Sequence, residues 1–211
     1  MTIAGLVLSG GLSRRMGGGE KALRGLGGRP MIAHVIDRLA PQVGAIAINA
    51  NADPALYAGF GLPVLPDIHP GHAGPLAGVL TGLDWAAKLP GITHIATAAT
   101  DTPFFPRDLV ARMEQDLEQD LPGDTAPGRI VLARSAQGRH PVFGLWPVAL
   151  RDDLAHWLAH SETMKVLAWT DRHDTVFADF APEGPGAPDP FFNTNTPEDL
   201  ALAETYLEAR P

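Results

Sequence analysis

Apolar residues recur along this chain in two patterns, as short unbroken runs that end in polar or glycine residues and as stripes at the spacing of one helix face. Ile3 to Leu8 is the first run, and it empties into Ser9-Gly-Gly-Leu-Ser-Arg-Arg-Met-Gly-Gly-Gly-Glu-Lys21. Ala45 to Ile48 ends at Asn49, Leu62 to Leu65 is closed by Pro66-Asp67, and Ile92 to Ala98 runs into Thr100-Asp101-Thr102-Pro103. Each run is too short for a helix and reads as a strand buried on both faces.

The stripes lie between the runs. Pro30 opens a helix at its first position, followed by Ile32, Val35, Ile36 and Leu39 on one face. Gly74-Pro75 opens a second, carrying Val79, Leu80, Leu83 and Ala87, and Pro106 to Gln119 is a third, with Leu109, Val110, Met113 and Leu117 aligned. Beyond the turn-rich stretch Leu121 to Gly128, strands are expected at Ile130 to Ala133 and Val142 to Trp146, flanking Ser135 to His140. Helices are expected from Val148 to His160 and near Met164 to Trp169, and a strand from Thr175 to Phe180. Thr196, Pro197 and Asp199 read as an N-cap, a first-turn proline and a capping-box acid of a last helix, with Leu200, Ala203 and Leu207 aligned.

Strands alternating with helices predict a Rossmann-like α/β fold, a mostly parallel sheet flanked by helices in a single domain over 1–211. Ligands bind such sheets at the carboxyl ends of the strands. Ser9 to Gly11, Asn49, Asp67 and Asp101 all fall where a strand ends.

Composition narrows the chemistry. The chain has 211 residues, 45% of them hydrophobic, no cysteine and a net charge of −8. Disulfides, thiolate metal sites and cysteine nucleophiles are excluded, and the acidic balance argues against nucleic-acid or membrane surfaces. No apolar run reaches the length of about eighteen residues that a membrane span needs, and no signal-peptide pattern opens the chain, so a cytoplasmic protein is expected. The local balance at the amino-terminal end is reversed: Arg14, Arg15, Lys21, Arg24 and Arg29 stand against Glu20 alone. A small anionic ligand fits that contrast, because glycine backbone approaches phosphate closely and the cations neutralise it.

Three nucleotide loops share these ingredients. A Walker A loop needs a hydroxyl after its lysine, whereas Lys21 precedes Ala22. Gly17, Gly19 and Ala22 meet the dinucleotide spacing but lie beyond the strand end, and Asn49 rather than an acid ends the second strand. His69 and His72, beside Pro70 and Gly71, lack the supporting cluster of a zinc site. A generic phosphate cradle, a binding module without catalysis, and transferase chemistry remain open at this point.

The stretch Leu8 to Leu23 resembles the signature loop of nucleotidyltransferases with a glycosyltransferase-A-like fold, in particular the molybdenum cofactor guanylyltransferases. The resemblance continues in order through Asn49-Ala-Asn51, Pro66-Asp67, Gly74-Pro-Leu-Ala-Gly78, Thr100-Asp-Thr-Pro103, His140-Pro141 and Asn193-Thr-Asn-Thr-Pro197. It implies Mg²⁺-dependent transfer of GMP from GTP to the terminal phosphate of molybdopterin, with release of pyrophosphate. On that basis Leu8, Ser9, Gly10, Gly11 and Lys21 hold GTP, Asn49 and Asp67 contact its nucleoside end, and Asp101 contacts GTP and ligates the metal. Arg15, Lys21 and Asp101 carry the catalysis, and His140, Asn193 and Asn195 face the pterin. Residues 1–105 then form a GTP-binding half and 106–211 a pterin-side half. Transient contacts with molybdenum-insertion and molybdoenzyme-maturation proteins are a further implication.

Ser9 and Glu20 depart from the family pattern, where alanine and aspartate are usual; Ser9 adds a hydroxyl near the ribose or phosphates, and Glu20 lengthens a carboxylate arm. The loop Ala181 to Pro190 is longer than the pattern requires. CMP transfer from CTP to the same pterin is the rival within the class, and Ser9-Gly10-Gly11 favours the larger purine because glycine leaves space beside the base.

Overall fold

Ile3 to Leu8 is buried throughout, alternate residues facing opposite layers of apolar side chains, and this strand organises the molecule. The computed structural model describes residues 2–10, 20–70, 74–118, 128–182, 184 and 187–208. Arg14, Arg15, Gly11, the glycines 17 to 19 and His72 therefore lie outside the described residues.

The strands are β1 (Thr2–Leu8), β2 (Gly25–Leu26), β3 (Arg29–Pro30), β4 (Ala45–Asn49), β5 (Val64–Leu65), β6 (Ile92–Ala99), β7 (Ile130–Ser135), β8 (Gly138–Pro147) and β9 (Thr175–Asp179). The helices are α1 (Met31–Leu39), α2 (Pro75–Ala86), α3 (Leu109–Glu118), α4 (Arg151–His160), α5 (Val166–Thr170) and α6 (Pro197–Glu208). Seven strands form one sheet in the order β5-β4-β1-β6-β8-β7-β9, parallel except for β8. The chain winds outward from β1 to β4 and β5, then returns to lay β6 on the other side of β1. That reversal of direction puts a topological switch point beside β1, and sheets of this kind bind ligands at the carboxyl ends of the strands there.

Ile32, Val35 and Leu39 of α1 and Leu109, Val110 and Met113 of α3 cover one face with Ile3, Val7 and Ile48. On the other face α2, α4 and α5 pack Leu76, Val79, Leu83, Leu158 and Trp169 against Leu6, Leu8 and Trp146. Gly78 and Gly82, one turn apart on α2, bring that helix close to the sheet. A Cβ on Gly82 would stand 2.5 Å from Leu6 and 2.8 Å from Ile95, and one on Gly78 would collide with Asn49 Oδ1 and stand 2.6 Å from Leu8.

The expected elements are present with shifted ends. Pro30 is the N-cap of α1 rather than its first residue, because it already pairs with Gly25 across the β2–β3 hairpin. The third helix starts at Leu109, three residues after Pro106. Strands β7 and β8 run on through Ser135 to His140, with Arg134 opposite Arg139, since Gly138 at φ 134° closes a tight turn. The β2–β3 hairpin, turned by Gly27 and Gly28 at φ 57° and 73°, and a 3₁₀ helix at Pro54–Phe60 have no counterpart in the predicted elements. Both elements are too short to establish a period.

Among the described residues no helix is long and apolar enough to cross a membrane.

Candidate active site

Four chain segments meet at the carboxyl ends of β1, β4 and β6. Leu8 is in register with Asn49 on one side and Ala99 on the other. The pairing continues past the strand ends, with Ser9 N donating to Asn49 O at 2.9 Å, Thr100 N to Leu8 O at 3.2 Å and Ala50 N to Leu65 O at 3.1 Å. Ser9, Asn49, Thr100 and the residue after Leu65 are thereby fixed on one rim.

Lys21 and Asp101 form the centre. Lys21 Nζ donates to Asp101 Oδ2 at 2.9 Å and to Asn195 Oδ1 at 2.5 Å. The two charged side chains are 12% and 29% exposed, so the pair is partly sheltered from water. Asp101 also anchors the carboxy-terminal segment: its backbone carbonyl accepts from Thr194 N at 2.8 Å and from Thr194 Oγ1 at 3.0 Å. Thr194 is fully buried by this docking, which leaves Asn193 and Asn195 exposed on either side of it. Thr102 Oγ1 then donates to Asn193 Oδ1 at 2.8 Å.

Beyond Asn195 the predicted capping box forms. Thr196 N donates to Asp199 Oδ2 at 2.8 Å, and Asp199 N donates to Thr196 Oγ1 at 3.1 Å. Asp199 Oδ2 also accepts from Asn195 N at 3.0 Å, so the cap that starts α6 holds the asparagine that meets Lys21. Those hydrogen bonds lower the Asp199 carboxyl below its ordinary range, against the opposing effect of burial.

A second polar group lies at the ends of β4 and β5. Asn49 Nδ2 donates to Asp67 Oδ1 at 2.8 Å and to Leu65 O at 3.0 Å. Asn51 grips Asp67 twice: Asn51 Nδ2 donates to Asp67 Oδ2 at 2.8 Å and Asp67 N donates to Asn51 Oδ1 at 2.8 Å. The carboxylate keeps acceptor capacity on both oxygens for a ligand with paired N–H donors. Asn51 and Thr194 are positioning residues without a period or charge run to mark them in the sequence.

Gly10 is exposed, and a Cβ built on it meets nothing within 4 Å among the described residues. Among the described residues, no neighbour requires glycine at this position. Ser9 is 6% exposed, and its hydroxyl is engaged by the Tyr57 hydroxyl at 2.9 Å rather than directed towards open space.

His140 contacts a different set of side chains. It lies on β8 with Nε2 2.8 Å from Ser135 Oγ and 4.0 Å from Asp189 Oδ1, stacked at 4.4 Å on Phe191, two residues before Asn193. Serine and aspartate approach the same ring nitrogen, which is not the relay of a hydrolytic triad. Burial lowers the His140 pKa below the ordinary imidazole value, with Asp189 opposing the shift.

This arrangement matches known proteins along nearly its full length. The family model of the MobA-like NTP transferase domain matches residues 5–176. A molybdenum cofactor guanylyltransferase from Bradyrhizobium sp. (strain ORS 278) is 50% identical over 204 residues, which is 96% of this chain and 92% of the relative. One from Cereibacter sphaeroides is 48% identical over 207 residues, 98% of each chain. The crystal structure of molybdopterin-guanine dinucleotide biosynthesis protein A from Archaeoglobus fulgidus superposes with a TM-score of 0.77 over 98% of this chain and 100% of that one, at 21% identity, and so shares the fold. With the matched domain spanning most of the sheet, the strand-end rim and the Lys21–Asp101 pair, this chain belongs to the MobA-like NTP transferase family.

Proposed function

We propose that this chain transfers GMP from GTP to the terminal phosphate of molybdopterin, giving molybdopterin guanine dinucleotide and pyrophosphate. The observation that carries the reading is the meeting of Lys21, Asp101 and Asn195 in one polar centre at the strand ends. It joins Lys21, which follows the glycine-rich stretch in sequence, to the end of β6 and the carboxy-terminal segment at one place. Relatives of about half-identical sequence named guanylyltransferases support guanine as the base.

The acceptor is a phosphate oxygen already ionised near neutral pH, so no serine nucleophile or histidine base is needed. A new P–O bond forms at the α-phosphorus of GTP while its bond to the bridging oxygen breaks, and that electron pair leaves with pyrophosphate. Catalysis of such a step rests on position and positive charge. In this reading Leu8, Ser9, Gly10 and Gly11 lie against the nucleotide, and Arg15 and Lys21 neutralise its phosphates. Asn49 and Asp67 take the nucleoside end, the Asp67 carboxylate meeting the paired N–H donors of guanine. His140, Asn193 and Asn195 face the pterin, so 1–105 serves GTP and 106–211 the acceptor.

Asp101 suits Mg²⁺, which is held in phosphoryl-transfer sites by one or two carboxylates with phosphates and water completing the shell. When bound, the ion would supply charge where the leaving pyrophosphate develops it. The cytoplasm, where GTP is at hand, is the compartment this reading implies, with transient contacts to the proteins that insert molybdenum and mature molybdoenzymes.

The test is release of pyrophosphate by the purified chain, expected only when GTP, Mg²⁺ and molybdopterin are all present and not when CTP replaces GTP. Nucleotide binding without pyrophosphate under those conditions would reject the reading.

A further inference from the structure

The buried phenol of Tyr57 links the residue after β1 to the residue before Lys21. Tyr57 lies in the 3₁₀ helix Pro54–Phe60, which Asp53 caps by accepting from Ala55 N at 2.9 Å. Its ring belongs to the apolar cluster that contains Val7, Ile48 and Ala50 and is fully buried. Its hydroxyl donates to Glu20 Oε2 at 3.2 Å and lies 2.9 Å from Ser9 Oγ. A phenol has one proton, and a carboxylate only accepts. With that proton on Glu20, the Ser9 hydroxyl must donate to Tyr57, and the chain of bonds runs in one direction, from Ser9 through Tyr57 to Glu20. Burial raises the Tyr57 pKa, so the phenol keeps its proton under ordinary conditions.

Ser9 adjoins Gly10, and Glu20 adjoins Lys21. Ser9 is held a second time through its backbone N–H on Asn49 O, and Lys21 through Asp101 and Asn195. Tyr57 ties these two anchored points to each other.

We propose that the Tyr57 hydroxyl is a positioning group for the nucleotide, fixing Ser9 and Glu20 at one separation so that Gly10 and Lys21 address the same set of phosphates. This rests on the reading of Gly10 and Lys21 as GTP contacts. Tyr57 then acts on the nucleotide through Ser9 and Glu20.

Tyr57→Phe keeps the packed ring and removes only the link. Calorimetry should show GTP affinity about tenfold weaker, the scale of one hydrogen bond to a charged group. Hydrogen exchange should quicken at the amides of residues 9–10 and 20–23 while α4 is unchanged. Ser9→Ala breaks the same chain elsewhere, so the double variant Ser9→Ala/Tyr57→Phe should bind GTP no more weakly than Tyr57→Phe alone. Glu20→Gln retains an acceptor oxygen and should restore most of the affinity that Glu20→Ala loses. Unchanged exchange and affinity in Tyr57→Phe, or losses that add in the double variant, would overturn the proposal. If the unaltered chain does not bind GTP, the functional reading fails, and exchange at residues 9–10 and 20–23 alone decides the role of Tyr57.

Discussion

Lys21 Nζ lies 2.9 Å from Asp101 Oδ2 across eighty residues of sequence, and the same ammonium reaches Asn195. A lysine after a glycine-rich stretch, an aspartate after a strand and an asparagine before a helix are unremarkable singly. Brought to one point, they set a cation and a carboxylate side by side at the strand ends.

Asp101→Asn removes the charge and keeps the shape. Pyrophosphate release should fall by about a hundredfold or more, since charge stabilisation of a transferring phosphoryl group is lost. Stability should change by less than about 1 kcal/mol, the range for a partly exposed ion pair. Steady-state kinetics with a urea melt on the same sample checks both.

Gly78→Ala and Gly82→Ala separate the site from the core. Both place a methyl into occupied space on the sheet side of α2, at a cost of about 1–3 kcal/mol each. Gly78→Ala meets Asn49 and Leu8 at the rim and should also raise KM for GTP, whereas Gly82→Ala meets Leu6 and Ile95 and should leave KM unchanged. Equal KM effects in the two would contradict the placement of Asn49.

Thr97→Val is expected to be a pure stability change. The buried Thr97 hydroxyl donates to Val142 O at 2.6 Å and accepts from Trp146 Nε1 at 2.8 Å and Gly144 N at 3.2 Å. Valine removes all three hydrogen bonds from a buried site, which should lower stability by about 2–4 kcal/mol. Denaturant titration measures this, and KM serves as the control.

Thr196→Ala breaks the capping box. A loss of about 1 kcal/mol is expected, which is about 2–4 °C in Tm for a chain of this size. The Asp199 carboxylate still accepts from the backbone amides of Asn195 and Thr196, so KM for GTP and for the pterin acceptor should stay unchanged in steady-state kinetics.

Mild acid should weaken the fold through His94. Burial lowers its imidazole from 6.5 to about 4. Between those values the unfolded chain takes up a proton that the folded one refuses, so stability falls as pH drops through this window and is level above it. His140 shifts in the same direction. The urea midpoint at pH 5 should lie below that at pH 7.5, and His94→Gln should narrow the gap.

The sequence by itself determined the α/β class, the order of most main-sheet strands and helices, and the strand ends at which chemistry would lie. These follow from local causes: unbroken apolar runs suit strands buried on both faces, helical stripes suit covering helices, and glycine, proline and capping residues mark the ends. Thr196 and Asp199 were legible for the same reason, since a capping box is a contact between neighbours in sequence. Tertiary structure alone decided which strand ends adjoin, because the parallel order β4-β1-β6 is set by crossover connections that leave no mark in any one segment. It also decided that Thr194, fully buried, docks its segment on the Asp101 carbonyl, and that Asn51 holds Asp67. Tyr57 is the extreme case: one aromatic residue in a short 3₁₀ turn has no periodicity to read, and its partners lie 37 and 48 residues away.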